Sequence, residues 1–504
     1  MKRVYSIAPY GLKGILVEIE ANLSRHLPKI IIVGLPDAAV CEAKERVWAA
    51  IENSGFNFPR QKVVINLAPA QIKKEGGSYD LPMAMAILLA SGVIKNIEQN
   101  SAFIGELSLN GDLKSVPGIL VMVASLKKMG FKQVFLPRVN SREASVVEGI
   151  DIFPVQNLLE LVNHLNGDKK LLVSENIAFC PEKSLGEVDM ADIKGQAQAK
   201  RVLEIAASGG HNVLMVGPPG VGKTLLAKAF LSILPDISSS EALDTSKIYS
   251  LAGLLSDDRP MINSRIMRKP HHSASVAAII GGGAWPRPGE ISLAHNNVLF
   301  LDEILEFPRQ ILESLRQPLE DKIITVSRAK SSLDFPANFI LLATANPCPC
   351  GFLTDRHKTC RCKDSDIKKY QKKLSGPLLD RIDLQLLLDR VEQDDLIAGP
   401  SYGESSTLIA GRVKRARAIQ QQRFSQSNNQ LNSDLNNKLV YKFCDISESS
   451  RQILAQAIRT LDLSARAYFK ILKVARTIAD LEASSKIEDS HILEALQYRA
   501  KIFN

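Results

Sequence analysis

Residues 211–230 read HNVLMVGPPGVGKTLLAKAF, and the organisation of the chain follows from them. A short apolar run, NVLMV, has the character of a buried strand. It gives way to GPPGVGKT, Gly217 to Thr224, and then to KTLLAKAFLSIL, which carries helical periodicity. Strand, glycine-rich turn and helix in that order form a phosphate-binding loop. Glycines let backbone N–H groups point inward at phosphate oxygens, and the helix N-terminus adds a favourable dipole. Gly217, Pro218, Pro219, Gly220, Val221 and Gly222 are therefore the candidate cradle. Lys223 is placed to reach the β- and γ-phosphates of a nucleoside triphosphate, and the Thr224 hydroxyl to bind Mg²⁺.

Further along, NNVLFLDE (296–303) supplies a second buried strand ending in two carboxylates. Asp302 is the candidate Mg²⁺ partner, and Glu303 the group that orients or deprotonates an attacking water. The run FILLATAN ends on Asn346, a candidate contact to the γ-phosphate or the lytic water. In SGPLLDRIDLQLLL, Arg381 stands just before another strand, where it can act as an arginine finger on a neighbouring subunit. In LSARAYFKILKVARTIADLE, Arg466 opens a helix as a second phosphate sensor. Strands alternating with helices across 190–395 predict a mainly parallel sheet covered by helices.

At 504 residues the chain is too long for one core. The expected layout is an α/β domain over 1–165, a linker over 166–189, an ATPase core over 190–395 and a helical lid over 396–504. Its hydrophobic content of 45% and charged content of 23% are those of a globular protein. No apolar run reaches the ~18 residues of a membrane span. LPMAMAILLASGVI (81–94) is shorter and reads as a core helix, and MKRVYSIAPYG lacks a signal-peptide apolar region. A cytoplasmic protein without a membrane partner is expected. Its net charge of +9 favours a polyanionic partner.

Phosphate loop, LDE, strand-end Asn346, Arg381 and a lid carrying Arg466 together resemble an AAA+ ATPase. RKPHHSASVAAIIGGGAWPRPGEISLAHNNVLFLDEILEFPRQILESLRQPLED resembles the magnesium-chelatase-like branch. VGLPDAAVCEAKERV, KEGGSYDLPMA and GELSLNGDL extend the similarity to the YifB/ComM group over the whole chain. The resemblance implies an ATP-driven homo-hexameric motor acting as a DNA helicase. Its expected work is branch migration of recombination intermediates in natural transformation, with single-stranded or branched DNA and recombination proteins as partners. About seventy residues separate the phosphate-loop helix from LDE, more than a minimal connection needs. Arg265, Arg268, Lys269, His271 and His272 lie in that segment. DKIITVSRAKSSLDF reads as a hairpin with Arg328 and Lys330 near its tip. These seven residues are the DNA-contact candidates, because arginine and lysine grip phosphates without a sequence code. The basic helix GRVKRARAIQQQRF (411–424) is either a further DNA contact or a solvated lid surface.

The N-terminal motifs also resemble the Lon-protease catalytic domain, of ribosomal S5 domain 2-like fold. Ser78 matches the nucleophile, but Leu120 stands where the activating lysine belongs, and Lys114 is six residues away. A serine without a base is a poor nucleophile, so an inactive domain is expected. Two other functions fit parts of the chain: a motor subunit for metal insertion, or an ATP-dependent protease or chaperone. DISES, Asp445 to Ser449, matches a metal-adhesion motif literally, yet helices follow it and helix capping is the simpler reading.

Four of the seven cysteines fall within CPCGFLTDRHKTCRC (348–362). Cys348, Cys350, Cys360 and Cys362 are spaced C-x-C-x₉-C-x-C, the material of a closed Zn²⁺ site within an insertion over 346–375. That C-x-C spacing is tighter than usual. Asp355 or His357 could replace a ligand, and reduced metal-free thiols or a redox site are the alternatives. Arg356, Lys358, Arg361 and Lys363 make the insertion a second candidate DNA contact.

Overall fold

A computed structural model describes residues 3–71, 74, 76–183, 186–283, 287–328, 331–391, 403–424, 431–461 and 463–499. The chain divides into two compact units, Met1–Cys180 with Ser239–Asn263, and Pro181–Ser238 with Ser264–Asn504.

The first unit is built on a seven-stranded mixed sheet. Its spatial order is Lys29–Val33, Lys62–Ala68, Lys13–Ser24, Val4–Tyr10, Ser101–Phe103, Gln133–Pro137, Asp151–Val155. Alternation along the strands feeds two cores, one on each face. Phe103, Phe135 and Phe153 stack on one face, with ring centroids 5.0 and 4.8 Å apart. Ala102, Ile104, Val134 and Leu136 face the other. The apolar stretch at 81–94 does form a core helix, Asp80–Ala90, buried along nearly its whole length.

Two boundaries differ from the sequence expectation. Residues 239–263, assigned above to the ATPase core, belong to the first unit. The helix Ser239–Ala252 packs on Ile119–Lys128, and Ser250 Oγ donates to the Leu120 N–H's other partner, Glu143, at 2.5 Å. The first half of the expected linker also stays with this unit, since the Ser174 N–H donates to the Ile152 carbonyl (2.8 Å) and the Ile177 N–H to that of Ser145 (3.0 Å).

The second unit centres on a five-stranded, all-parallel sheet. Across it run Met267–Arg268, Val298–Leu301, Ile340–Ala345, Val213–Val216 and Leu384–Leu387. Numbered along the chain, the order is 2-3-4-1-5: the first strand, Val213–Val216, lies between the fourth and the fifth. Such a break in winding opens a crevice at the carboxyl ends of the strands. Five helices, Ser406–Arg423, Asn437–Phe443, Glu448–Leu461, Ala465–Leu481 and Asp489–Gln497, share one apolar core with the sheet. Ile323–Arg328 and Ser331–Pro336 form the expected antiparallel hairpin. Among the described residues no helix is long and apolar enough to cross a membrane.

Candidate nucleotide site and cysteine cluster

Parallel pairing brings three strand ends to one edge. Val216 pairs with Ala345 and Leu301 with Ala343, so Gly217, Asp302 and Asn346 leave the sheet together. The Lys223 amine is buried at the centre, 2.5 Å from the Gly217 carbonyl and 3.2 Å from that of Pro218. It also donates to Asn346 Oδ1 at 2.9 Å. Burial pulls this amine down to about 8, against the opposing pull of Asp302 and Glu303. Thr224 Oγ1 donates to Asp302 Oδ2 at 3.2 Å. This hydroxyl–carboxylate pair and the adjacent buried amine are the donor set that a nucleotide triphosphate with Mg²⁺ requires.

Thr344 was not singled out in the sequence. Its hydroxyl donates to Asp302 Oδ1 (2.7 Å) and accepts the Glu303 N–H (2.9 Å), so one side chain orients both carboxylate positions. Its place two residues before Asn346, on the same strand face, was the available signal. Burial would raise the Asp302 carboxyl, but Thr344, Lys269 and Thr224 hold it below its usual value. Glu303 is exposed, with φ +53° at the strand end.

Several DNA-contact candidates have other work. Lys269 lies 3.2 Å from Asp302 Oδ2, within the nucleotide site. Arg265 is buried, and its guanidinium donates to the carbonyls of Pro235 (3.1 Å) and Asn296. Arg268 binds Glu290 with two nitrogens, at 2.7 and 2.5 Å. Burial keeps Arg265 away from an external ligand, whereas Arg268 and Lys269 are partly exposed and each is engaged by one carboxylate. The His271 and His272 ring centroids lie 4.1 Å apart with the planes tilted by 33°, and His271 Nδ1 meets Ser273 Oγ at 2.7 Å. Arg328 ends the first hairpin strand, and Lys330 lies outside the described residues. On the basic lid helix three arginines turn inward: Arg412 reaches Glu204 and Glu404, Arg417 the Ala207 carbonyl, and Arg423 Asp480, while Lys414 and Arg415 are exposed.

Arg381 and Arg466 converge on one carboxylate. Arg381 pairs with Glu320 Oε2, and Arg466 with Oε1 at 3.2 Å. Both line a cleft of about 980 Å³ with Asp380, Lys470 and Lys473. Arg381 precedes the strand Leu384–Leu387, whose four residues pair with Val213–Val216. It therefore lies beyond the amino edge of the sheet, whereas the phosphate loop lies beyond the carboxyl edge. Four paired residues at about 3.3 Å each separate those edges by roughly 13 Å, further than an arginine side chain extends.

The cysteines gather as the spacing allowed. Cys348 and Cys350 Sγ are 3.4 Å apart, and each lies 3.6 Å from Cys360 Sγ. With Cys362, all four sulfurs lie within 4.8 Å of one another. A tetrahedral thiolate site with Zn–S near 2.3 Å needs sulfurs about 3.8 Å apart. The four thiols fit zinc without a fifth group. Asp355 is taken instead by Arg390, at 2.8 Å, and by the N–H groups of His357 and Lys358. The Phe352 N–H lowers the Cys350 thiol to about 6, while burial pushes that of Cys348 up to about 12.

In the first unit Ser78 and Leu120 are buried and Lys114 is exposed. Lys74, overlooked in the sequence, is fully buried, but its amine is occupied by the carbonyls of Gly34 and Pro69. In DISES, Ser447 and Ser449 donate to Asp489, and Ser447 Oγ accepts the Ser450 N–H as a helix cap.

Three family models match the chain: magnesium chelatase, subunit ChlI, over residues 189–396; subunit ChlI of Mg-chelatase over 19–140; and the ChlI C-terminal family over 403–499. Competence protein ComM of Haemophilus influenzae is 41% identical over 99% of this chain and 97% of its own. The chain belongs to the YifB/ComM family. YifB of Escherichia coli, an uncharacterized protein, is also 41% identical, over 99% of this chain and 96% of its own. The family's Lon-like character is visible in an archaeal Lon protease of Methanocaldococcus jannaschii, 30% identical over 147 residues, 29% of this chain and 22% of that one. As a YifB/ComM member the protein carries a Mg-chelatase-like AAA+ core with a Lon-like α/β unit and a helical C-terminus.

Proposed function

We propose that this YifB/ComM protein is an ATP-hydrolysing ring motor that moves along single-stranded or branched DNA, driving strand separation and branch migration. The observation that carries the reading is the separation of two half-sites. Lys223, Thr224, Asp302, Glu303 and Asn346 gather at the carboxyl edge of the sheet, and Arg381 and Arg466 beyond the amino edge. One subunit alone lacks the arginines at its own phosphate loop. A closed ring, a homo-hexamer in this proposal, supplies them from the neighbour.

In that arrangement the loop amides and Lys223 bind the β- and γ-phosphates. Thr224 and Asp302 would hold Mg²⁺, which when bound neutralises phosphate charge. Glu303 orients the attacking water and takes its proton, with Thr344 fixing the backbone beneath it. Asn346 gives up Lys223 to the nucleotide and hydrogen-bonds the γ-phosphate or the water. Arg381 and Arg466 from the neighbour stabilise charge on the transferring phosphoryl group. Zn²⁺ on the four cysteines is structural, with no open position for chemistry. The hairpin strands Ile323–Arg328 and Ser331–Pro336 are the proposed DNA grip, with Arg328 and Lys330 as the sequence's contact candidates. Ser78 without a base makes the Lon-like unit non-proteolytic.

ATP turnover measured with forked DNA, unfolded protein or a porphyrin tests the reading. DNA is expected to stimulate, and Lys223→Ala to abolish turnover. Absence of DNA stimulation, strand displacement and branch migration together would refute the motor.

A further inference from the structure

The insertion that carries the cysteines touches the nucleotide site at more than one point. It starts where the candidate sensor strand ends, and Asn346 is two residues before Cys348. The turn Cys348–Gly351, closed by the Gly351 N–H on the Cys348 carbonyl (2.9 Å), lies against the phosphate loop. Gly351 has φ +82°, and a Cβ there would sit 2.7 Å from Pro219 Cδ and 3.9 Å from Asn346 Cγ. Glycine is required twice over, by the left-handed backbone and by the approach to Pro219.

From its far end the insertion returns to the same centre. After Cys362 the helix Asp364–Gln371 begins. Gln371 Nε2 donates to the Pro347 carbonyl at 2.9 Å, which closes the insertion on itself. Its neighbour Tyr370 is buried, and burial together with the charges of Glu306 and Glu303 raises the phenol. Lys373 lies 3.8 Å from Glu306. A third tie runs to the residues after Leu384–Leu387: Asp355 to Arg390 at 2.8 Å and Arg356 to Asp389 at 3.2 Å.

Between these anchors, residues 346–363 contain neither helix nor strand. Eighteen residues without secondary structure are an uncommon length for a rigid support. Among the described residues the only metal-capable cluster lies within them. A tetrathiolate ion would replace the missing ladder of hydrogen bonds, since metal affinity becomes folding free energy.

We infer that a zinc ion on Cys348, Cys350, Cys360 and Cys362 positions the ATP site, by holding Gly351 against Pro219 and the helix of Tyr370 beside Glu303 and Glu306. The inference rests on the ATP reading above and extends it: the ion performs no chemistry, and nucleotide binding depends on it. Pro219 and Gly351 are positioning residues, acting through the loop that contacts phosphate.

Full-length protein is assayed for zinc by thiol-mercurial release with a colorimetric chelator, and for binding of a fluorescent methylanthraniloyl-ATP. We expect about one zinc per chain. Release of the metal should weaken nucleotide binding at least tenfold, with recovery when zinc is returned under reductant. Gly351→Ala should keep its zinc and still bind nucleotide at least tenfold more weakly, which separates positioning from unfolding of the metal-free chain. Less than half an equivalent of zinc overturns the inference, as does wild-type affinity in either the stripped protein or Gly351→Ala. Zinc-loaded wild type that binds no nucleotide overturns the ATP reading as well. Wild type that binds nucleotide with an affinity indifferent to zinc overturns only this inference.

Discussion

Lys223 shows how one buried amine reports on a whole site. Burial holds it at about 8. Phosphates raise it, so ATP binds the charged form. Affinity should be full below pH 8 and fall as pH rises above it, approaching tenfold per unit. Titrations with fluorescent ATP at pH 7, 8 and 9 check the slope, and calorimetry in two buffers at pH 8.5 should detect proton uptake on binding. Asp383 works in the opposite sense. Burial alone would raise its carboxyl, but Lys470 at 2.6 Å, His211 and the Asn212 N–H hold it well below the carboxylate range. Its stabilisation is therefore present above the unfolded value near 4 and lost as pH falls below that. Asp383→Asn should destabilise by about 3–5 kcal/mol, read from denaturant melts at pH 7, with the difference from wild type shrinking in acid.

At the scale of elements, sequence composition was a poor guide to which cations are available. The helix Ser406–Arg423 carries a basic run, yet Arg412, Arg417 and Arg423 face buried acceptors on its neighbours. Arg265, Arg268 and Lys269 are similarly engaged. A linear charge count cannot register this, because pairing depends on which carboxylate a distant segment delivers. The hairpin Ile323–Pro336 was legible, since two β-rich runs around a polar turn have few other solutions. Under the motor reading, replacing Arg328 and Lys330 by alanine should reduce the slope of log affinity for DNA against log salt by about one per cation removed. Fluorescence anisotropy at several salt concentrations measures that slope, and an unchanged slope would remove the hairpin from the DNA path.

For the whole molecule, the position of the arginines makes a quantitative claim. Arg381→Ala and Glu303→Gln subunits should each be inactive alone. If each site draws Glu303 from one subunit and Arg381 from the next, an equal mixture restores roughly a quarter of the sites. Arginines acting within their own chain would restore none. Steady-state ATP turnover of the mixed assemblies distinguishes the two outcomes.

The nucleotide site was legible from sequence because its chemistry is local. A phosphate loop is a strand, a glycine turn and a helix N-terminus, all contiguous, and LDE and Asn346 sit at strand ends where parallel pairing must collect them. The clustering of the four cysteines was legible for the same reason. Tertiary structure alone decided what joins segments far apart in the chain. It brought Thr344 under both carboxylate positions and turned Lys269 toward Asp302. It tied Arg381 and Arg466 to Glu320, and moved residues 239–263 into the first unit. It also laid Gly351 on Pro219. Each of these depends on register and packing between elements, and spacing along the chain carries no record of either.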